Sequence, residues 1–211
     1  ADHSYADLVM DIKLNTGSLH FGAPTYRMYG KQDEFRPMYG LYTKMLADKV
    51  GFALDTAAEI IASSKFEDTK RLREIIGEVK SGKQRGIMGS GNSVGIARAA
   101  SYFSKTACYQ ELLAGLDYYL FLCDLHANFE AKADEIWIFN PERMIVSLAA
   151  DEAGYAAVEA ALPVFMDKCA ALERKCLGEP AVFEPVKKNE GIMIPSQVQY
   201  VCRAGNLNAA G

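Results

Sequence analysis

The sequence predicts an α+β fold, mainly antiparallel sheet with helices packed on one face, and three patterns carry that expectation. Leu19, Phe21 and Ala23 alternate with polar neighbours, and Met38–Met45 returns after a polar stretch, as in an antiparallel pair. Between positions 48 and 134, apolar residues recur three and four apart, as on helices with one inward face. Arg143–Phe165 then reads as a buried strand at Met144–Ala149, a cap at Asp151 and a long helix. Such a unit must lay its helix back across the sheet that its strand joins.

Taken in order, Ser4 is a helix cap followed three residues later by Asp7, and Leu8, Val9 and Ile12 share the apolar side of a helix ending near Asn15. Thr16-Gly17-Ser18 breaks it. Tyr26–Arg36, with Gly30 and a KQDE run, suits a hairpin loop. Asp48 is expected to cap a helix to about Ser63, with Val50, Leu54, Ala57, Ala58 and Ile61 as its stripe. Phe66-Glu67-Asp68 opens another from Thr69 to about Lys80, with Leu72, Ile75, Ile76 and Val79 inward. Glycines 82, 86, 89, 91 and 95 interrupt the next stretch. Helical pattern resumes over Ile96–Phe103, breaks near Ser104, and runs as one helix from Tyr109 to about Asp124, with a short polar helix over Asn128–Asp134. After Asp151, Tyr155, Val158, Ala161, Leu162 and Phe165 recur at helical spacing. Gly178, Pro180, Pro185 and Lys187-Lys188 mark 176–189 as a linker, and Val198, Tyr200 and Cys202 share a face of a final strand.

Composition narrows the function. The chain has 211 residues, half of them hydrophobic, enough for a real core, and its net charge of −4 comes with scattered Lys and Arg. With no basic stripe, a nucleic-acid partner is not expected. No apolar run approaches the roughly 18 residues that read as a membrane span. The five cysteines form no C-x-x-C pair and read as structural thiols of a reducing compartment, hence a cytoplasmic expectation.

Sites fare poorly. A zinc peptidase needs two histidines one helical turn apart and a carboxylate, whereas His3, His20 and His126 stand alone. Gly77–Lys83, GEVKSGK, has most of a phosphate loop, but Gln84 replaces the magnesium-binding hydroxyl and no apolar strand precedes it. Gly89–Gly95, GSGNSVG, has Val94 where a dinucleotide loop needs its third glycine, and reads as a flexible connection between helices. No G-x-S-x-G is present. Tyr118, Tyr119 and Phe121 suit helix packing better than a peptide groove. Gln197, Gln199 and Arg203 suit a solvated face better than an edge for β-augmentation. Catalytic, cofactor-binding and metal residues are all expected to be none.

Several stretches together carry a resemblance: SYADLVMDIKLNTGSLHFG, YGLYTKMLADKVGFALDTAAEII, RLREIIGEVKSG, ARAASYFSKTACYQELLAGLDYYLFLCDL, MIVSLAADEAGYAAVEAALPVF and IPSQVQYVCRAGN. In this order they resemble the C-terminal half of the presequence protease branch of the insulinase-like (pitrilysin-type) zinc metallopeptidases. The resemblance implies four related α+β modules closing around a chamber that degrades unstructured peptides, with zinc and its ligands in the first module. It implies that 1–175 is most of a noncatalytic third module, 176–189 a linker and 190–211 the first strand of the fourth. The Arg and Tyr that the fourth module contributes to catalysis would lie beyond Gly211, and Thr16-Gly17-Ser18-Leu19 stands where relatives often carry two glycines.

By this resemblance zinc belongs to the parent enzyme and none to this chain, and the partners are the remaining modules and the parent's peptide substrate. The alternative is an independent interaction module that pairs with a separate catalytic subunit. Ser196–Arg203 is expected to fill the sheet position left by a missing first strand, in its own chain or by exchange with a neighbour.

Overall fold

The structure, a computed structural model, describes residues 4–31, 34–64, 68–132, 146–170, 182–195 and 197–205. It divides into two units, the first drawn from 1–22, 39–67 and 136–178 and the second from 23–38, 68–135 and 179–211.

In the first unit, α1 (Tyr5–Asn15) begins where Ser4 Oγ accepts from Asp7 N at 3.2 Å, as the sequence predicts. β1 (Ser18–Gly22) and β4 (Gly40–Lys44) pair antiparallel, Ser18 opposite Lys44 and Gly22 opposite Gly40. A single 3₁₀ turn, Ala47–Lys49, then leads into α2 (Val50–Ser63). Asp48 lies within that turn, and neither Leu46 nor Lys49, the residues at the two helix starts, makes a side-chain cap bond. α2 packs against α8 (Glu152–Ala170), which Asp151 caps by accepting from Gly154 N at 2.8 Å. Ala57 and Ala58 let Phe165 and Cys169 approach closely, and Leu41, Leu54, Ile61 and Leu162 surround this core. Tyr155, first of the residues recurring at helical spacing, is 59% exposed.

The second unit holds a small hairpin, β2 (Thr25–Arg27) with β3 (Phe35–Pro37), within the stretch read as loop. Gly30 turns it with φ of 75°, a region closed to most side chains, and Lys31 pairs with Glu34 at 2.9 Å. Five helices come next: α3 (Thr69–Gly89), α4 (Gly91–Ser101), α5 (Lys105–Ala114), α6 (Leu116–Ala127) and the single turn α7 (Phe129–Lys132). α3 packs on α6, and α5 on both α4 and α6; Ile87, Ala99, Tyr109, Leu122, Leu125 and Phe129 are buried. Asp68 caps α3 through Arg71 N at 2.9 Å.

Several expectations need correction. Helix outweighs strand, and the strands form two separate two-stranded ladders among the described residues. α3 runs through Gly82 and Gly86, because its neighbours supply packing that overrides the weak preference against glycine. Ile75 and Val79 are exposed rather than inward. The helix expected over Tyr109–Asp124 is broken at Gly115. Met144 and Ile145 lie outside the described residues, but residues 146–149 join no strand, with Val146 and Leu148 half-exposed. Residues 197–205 also join neither ladder, so the expected sheet repair is not made by the described part of that segment. A β-pattern is realised only where another strand offers its edge, which local sequence does not supply.

An alanine Cβ at Gly86, inside α3, would meet nothing within 4 Å. Gly86→Ala is therefore expected to raise stability by roughly 0.5–1 kcal/mol, read as a higher urea midpoint, and a fall would contradict an open helix surface there.

Candidate functional site

Three helices and one irregular segment converge on Arg98. α4 carries the arginine, α5 carries Glu111, the first turn of α6 carries Asp117, and the segment 182–205, here called the strap, brings Glu190. Ser104 separates α4 from α5 and caps the latter, its Oγ accepting from Ala107 N at 3.3 Å. Gly115 then makes the corner between α5 and α6. A Cβ there would lie 2.2 Å from a carboxylate oxygen of Glu111, so the glycine leaves room for that side chain to fold over the corner. Glu111 Oε2 accepts from Leu116 N at 3.1 Å, placing negative charge at the positive end of α6.

All three guanidinium nitrogens are engaged. Nε and Nη2 donate to the two carboxylate oxygens of Glu190 at 2.7 and 3.1 Å, and Nη1 reaches Asp117 at 2.7 Å and Glu111 at 3.2 Å. The Arg98 and Glu111 side chains are 8% and 2% exposed, so neither would be tolerated unpaired. Tyr102 Oη donates to Glu190, and the guanidinium lies 5.7 Å from the Tyr102 ring centroid. Lys188 Nζ stands 3.7 Å from Glu190. The Arg98 hydrogen bond, helped by Tyr102, holds the Glu190 carboxyl down at about 2. The bond to Glu190 likewise raises Arg98, against the opposing effect of burial. Burial, then Asp117, pushes the nearby Cys108 thiol up.

The strap is anchored elsewhere too. Phe183 packs edge-on against Tyr109 at 5.0 Å between centroids and lies 5.8 Å from Phe35. Glu184 pairs with Lys105 at 2.8 Å, and Lys187 Nζ lies 5.5 Å from the Phe103 ring. Gly91 and Gly95, one turn apart on α4, take its far end: a Cβ on Gly91 would be 3.2 Å from Ile194 Cδ1 and from Tyr200, and one on Gly95 would be 2.7 Å from Cys202 Sγ. Gly91 and Gly95 of GSGNSVG are thus a close-approach surface rather than part of a flexible connection; only Ser90 separates α3 from α4.

His3 lies outside the described residues. The His20 ring stacks on Tyr42 in the first unit, whereas His126, in the second, faces Lys80 Nζ at 3.2 Å, a neighbour that opposes a metal cation. Among the described residues no group of three or more His, Cys, Asp or Glu is placed to hold a metal ion. Gly77–Lys83 lies inside α3, where its backbone N–H groups belong to the helix rather than to a phosphate cradle. Tyr118 and Tyr119 are half-buried and Phe121 is exposed; Lys83 Nζ sits 5.7 Å from the Tyr118 ring. Among the described residues Cys108, Cys123, Cys169 and Cys202 are free thiols, and Cys169 is fully buried. No described helix is long and apolar enough to cross a membrane. The Arg98 cluster itself escapes sequence reading, since its glutamate at 190 is 92 positions away.

The description "Peptidase M-16C associated" belongs to a family profile that matches residues 1–125. The protein HypA of Clostridium perfringens is 29% identical over 217 residues, covering all of this chain and 22% of that protein. Presequence protease 1, chloroplastic/mitochondrial, of Arabidopsis thaliana is 24% identical over 226 residues, again covering all of this chain and 20% of that protein. The chain therefore spans about a fifth of the length of these curated relatives.

The cluster generates two expected outcomes. Arg98→Met leaves Glu111 buried without its cation and is expected to cost about 3–5 kcal/mol of stability in urea unfolding. Glu190 has a folded value below the ~4.3 of a free glutamate, so its contribution is complete above that value and is lost as pH falls towards about 2. Asp124, lowered by Lys132, titrates in the same direction, so the readout is the difference between the chain and Glu190→Gln. The variant's urea midpoint should fall less steeply over that window; equal slopes would contradict the assignment.

Proposed function

Because this chain belongs to the family of segments associated with peptidase M-16C, we propose that it serves a larger zinc-dependent peptidase as a noncatalytic segment, forming chamber wall and bracing the other modules. Positions 1–175 are assigned in this reading to an insulinase-like module, 176–189 to a linker, and 190–211 to the start of the following module. The observation that carries the reading is the use made of the buried charges: Arg98, Glu111, Asp117 and Glu190 satisfy one another and tie chain segments together. They present no group to a reacting atom. The relatives, one of them named a presequence protease, are about five times longer than this chain, leaving ample room for catalysis elsewhere.

In this reading zinc held by residues outside this chain would supply Lewis-acid chemistry toward the scissile carbonyl and its attacking water. Nothing in this chain holds that metal in the proposal, and no step of hydrolysis passes through its residues. Its contribution is geometric: the modules enclose the substrate, which a displaced wall would leave misplaced.

The test is cleavage of a quenched, unstructured peptide in the presence of zinc. The chain alone should be silent, while its addition to a separately made remainder of the parent enzyme should raise turnover above that of the remainder. Chelator-sensitive cleavage by the chain alone would overturn the noncatalytic reading. A mixture no faster than the remainder would overturn the bracing role.

A further inference from the structure

We propose that the face formed by α4, the start of α5 and the β2–β3 hairpin is a groove for extended peptides, with the strap as its resident occupant. A free peptide of the same chemistry would then compete for it. The inference stands on the second unit alone and does not depend on the peptidase reading.

The face has the parts of a peptide site. Phe35 and Tyr109 offer an aromatic seat, filled by Phe183. Seven residues on, Arg98 takes the carboxylate of Glu190 bidentately, with Tyr102 adding a donor. Gly91 and Gly95 expose helix backbone on which Ile194, Tyr200 and Cys202 lie. Arg98 remains fixed by Asp117 and Glu111, so its fork is preorganised for a carboxylate arriving from outside the helices. The strap itself behaves as a ligand would. It has no helix or strand over 182–195 and 197–205, most of it is exposed, and it is held by side-chain anchors spaced along an irregular chain.

The recognised chemistry is therefore an extended peptide with an aromatic residue, a carboxylate seven positions later and an aliphatic residue four beyond that. In the intact chain the tethered strap has an effective concentration in the millimolar range, so a free peptide competes poorly. Weakening the strap's own anchors should uncover the site.

The experiment uses a fluorescein-labelled peptide of the strap sequence, 182–205, with serine at position 202, and follows its anisotropy with the whole 211-residue chain. The double variant Phe183→Ala/Glu190→Gln should bind at least about tenfold more tightly than the unaltered chain. The same two changes made in the peptide should abolish that gain. Equal binding by both chains, or by both peptides, would overturn the proposal.

A second measurement needs no altered chain. Excess unlabelled peptide should displace the strap and speed alkylation of Cys202, followed by mass spectrometry, several-fold. The anchor-less peptide should not. An unchanged rate at saturating peptide would overturn the proposal even if the double variant failed to fold.

Discussion

Arg98 is the constraint on which the second unit turns. Moving a guanidinium out of water is costly, and the cost is offset only when several acceptors meet it in good geometry. Here the acceptors come from α5, α6 and the strap, so satisfying one side chain fixes the angle between two helices and the course of an irregular segment. The arrangement has a further economy. Glu111 accepts from Arg98 and from Leu116 N together, so the same carboxylate that neutralises the core also starts α6. The first unit has no charge cluster of this kind among its described contacts and relies on small-to-large packing, alanines of α2 against Phe165 of α8.

Local signals were readable wherever local chemistry decided the outcome. Ser4 and Asp151 each cap a helix at the position their neighbours suggest, and Asp68, last of the Phe66-Glu67-Asp68 stretch, caps α3, because a cap bond spans only three residues. The β1–β4 pair was readable as alternation before a polar stretch and a returning run after it. Glycine was misread. At 82 and 86 it does not interrupt α3, and at 91 and 95 it is also a shape requirement imposed by residues about a hundred positions away. Gly115, which does end a helix, looks no different in sequence.

The two failed strands share a cause. Residues 146–149 and 197–203 have apolar or alternating patterns, but in this structure neither finds an edge to pair with. Tyr200 and Cys202 lie instead against Gly91 and Gly95 of α4, and a pattern in which they share a face serves that contact equally well. The site was hidden for the opposite reason. A lone arginine in an alanine-rich helix and a glutamate in a polar tail are ordinary alone, and only the fold makes them partners.

The separations within the cluster also set an order of assembly. Arg98 and Glu111 are 13 positions apart, whereas Arg98 and Glu190 are 92 apart. Closing the longer loop carries the larger entropic penalty and gains from a guanidinium already held in place. The helical corner is thus the early event and strap docking the late one, which leaves a nascent chain with a formed but unfilled surface until residues 182–205 have been made.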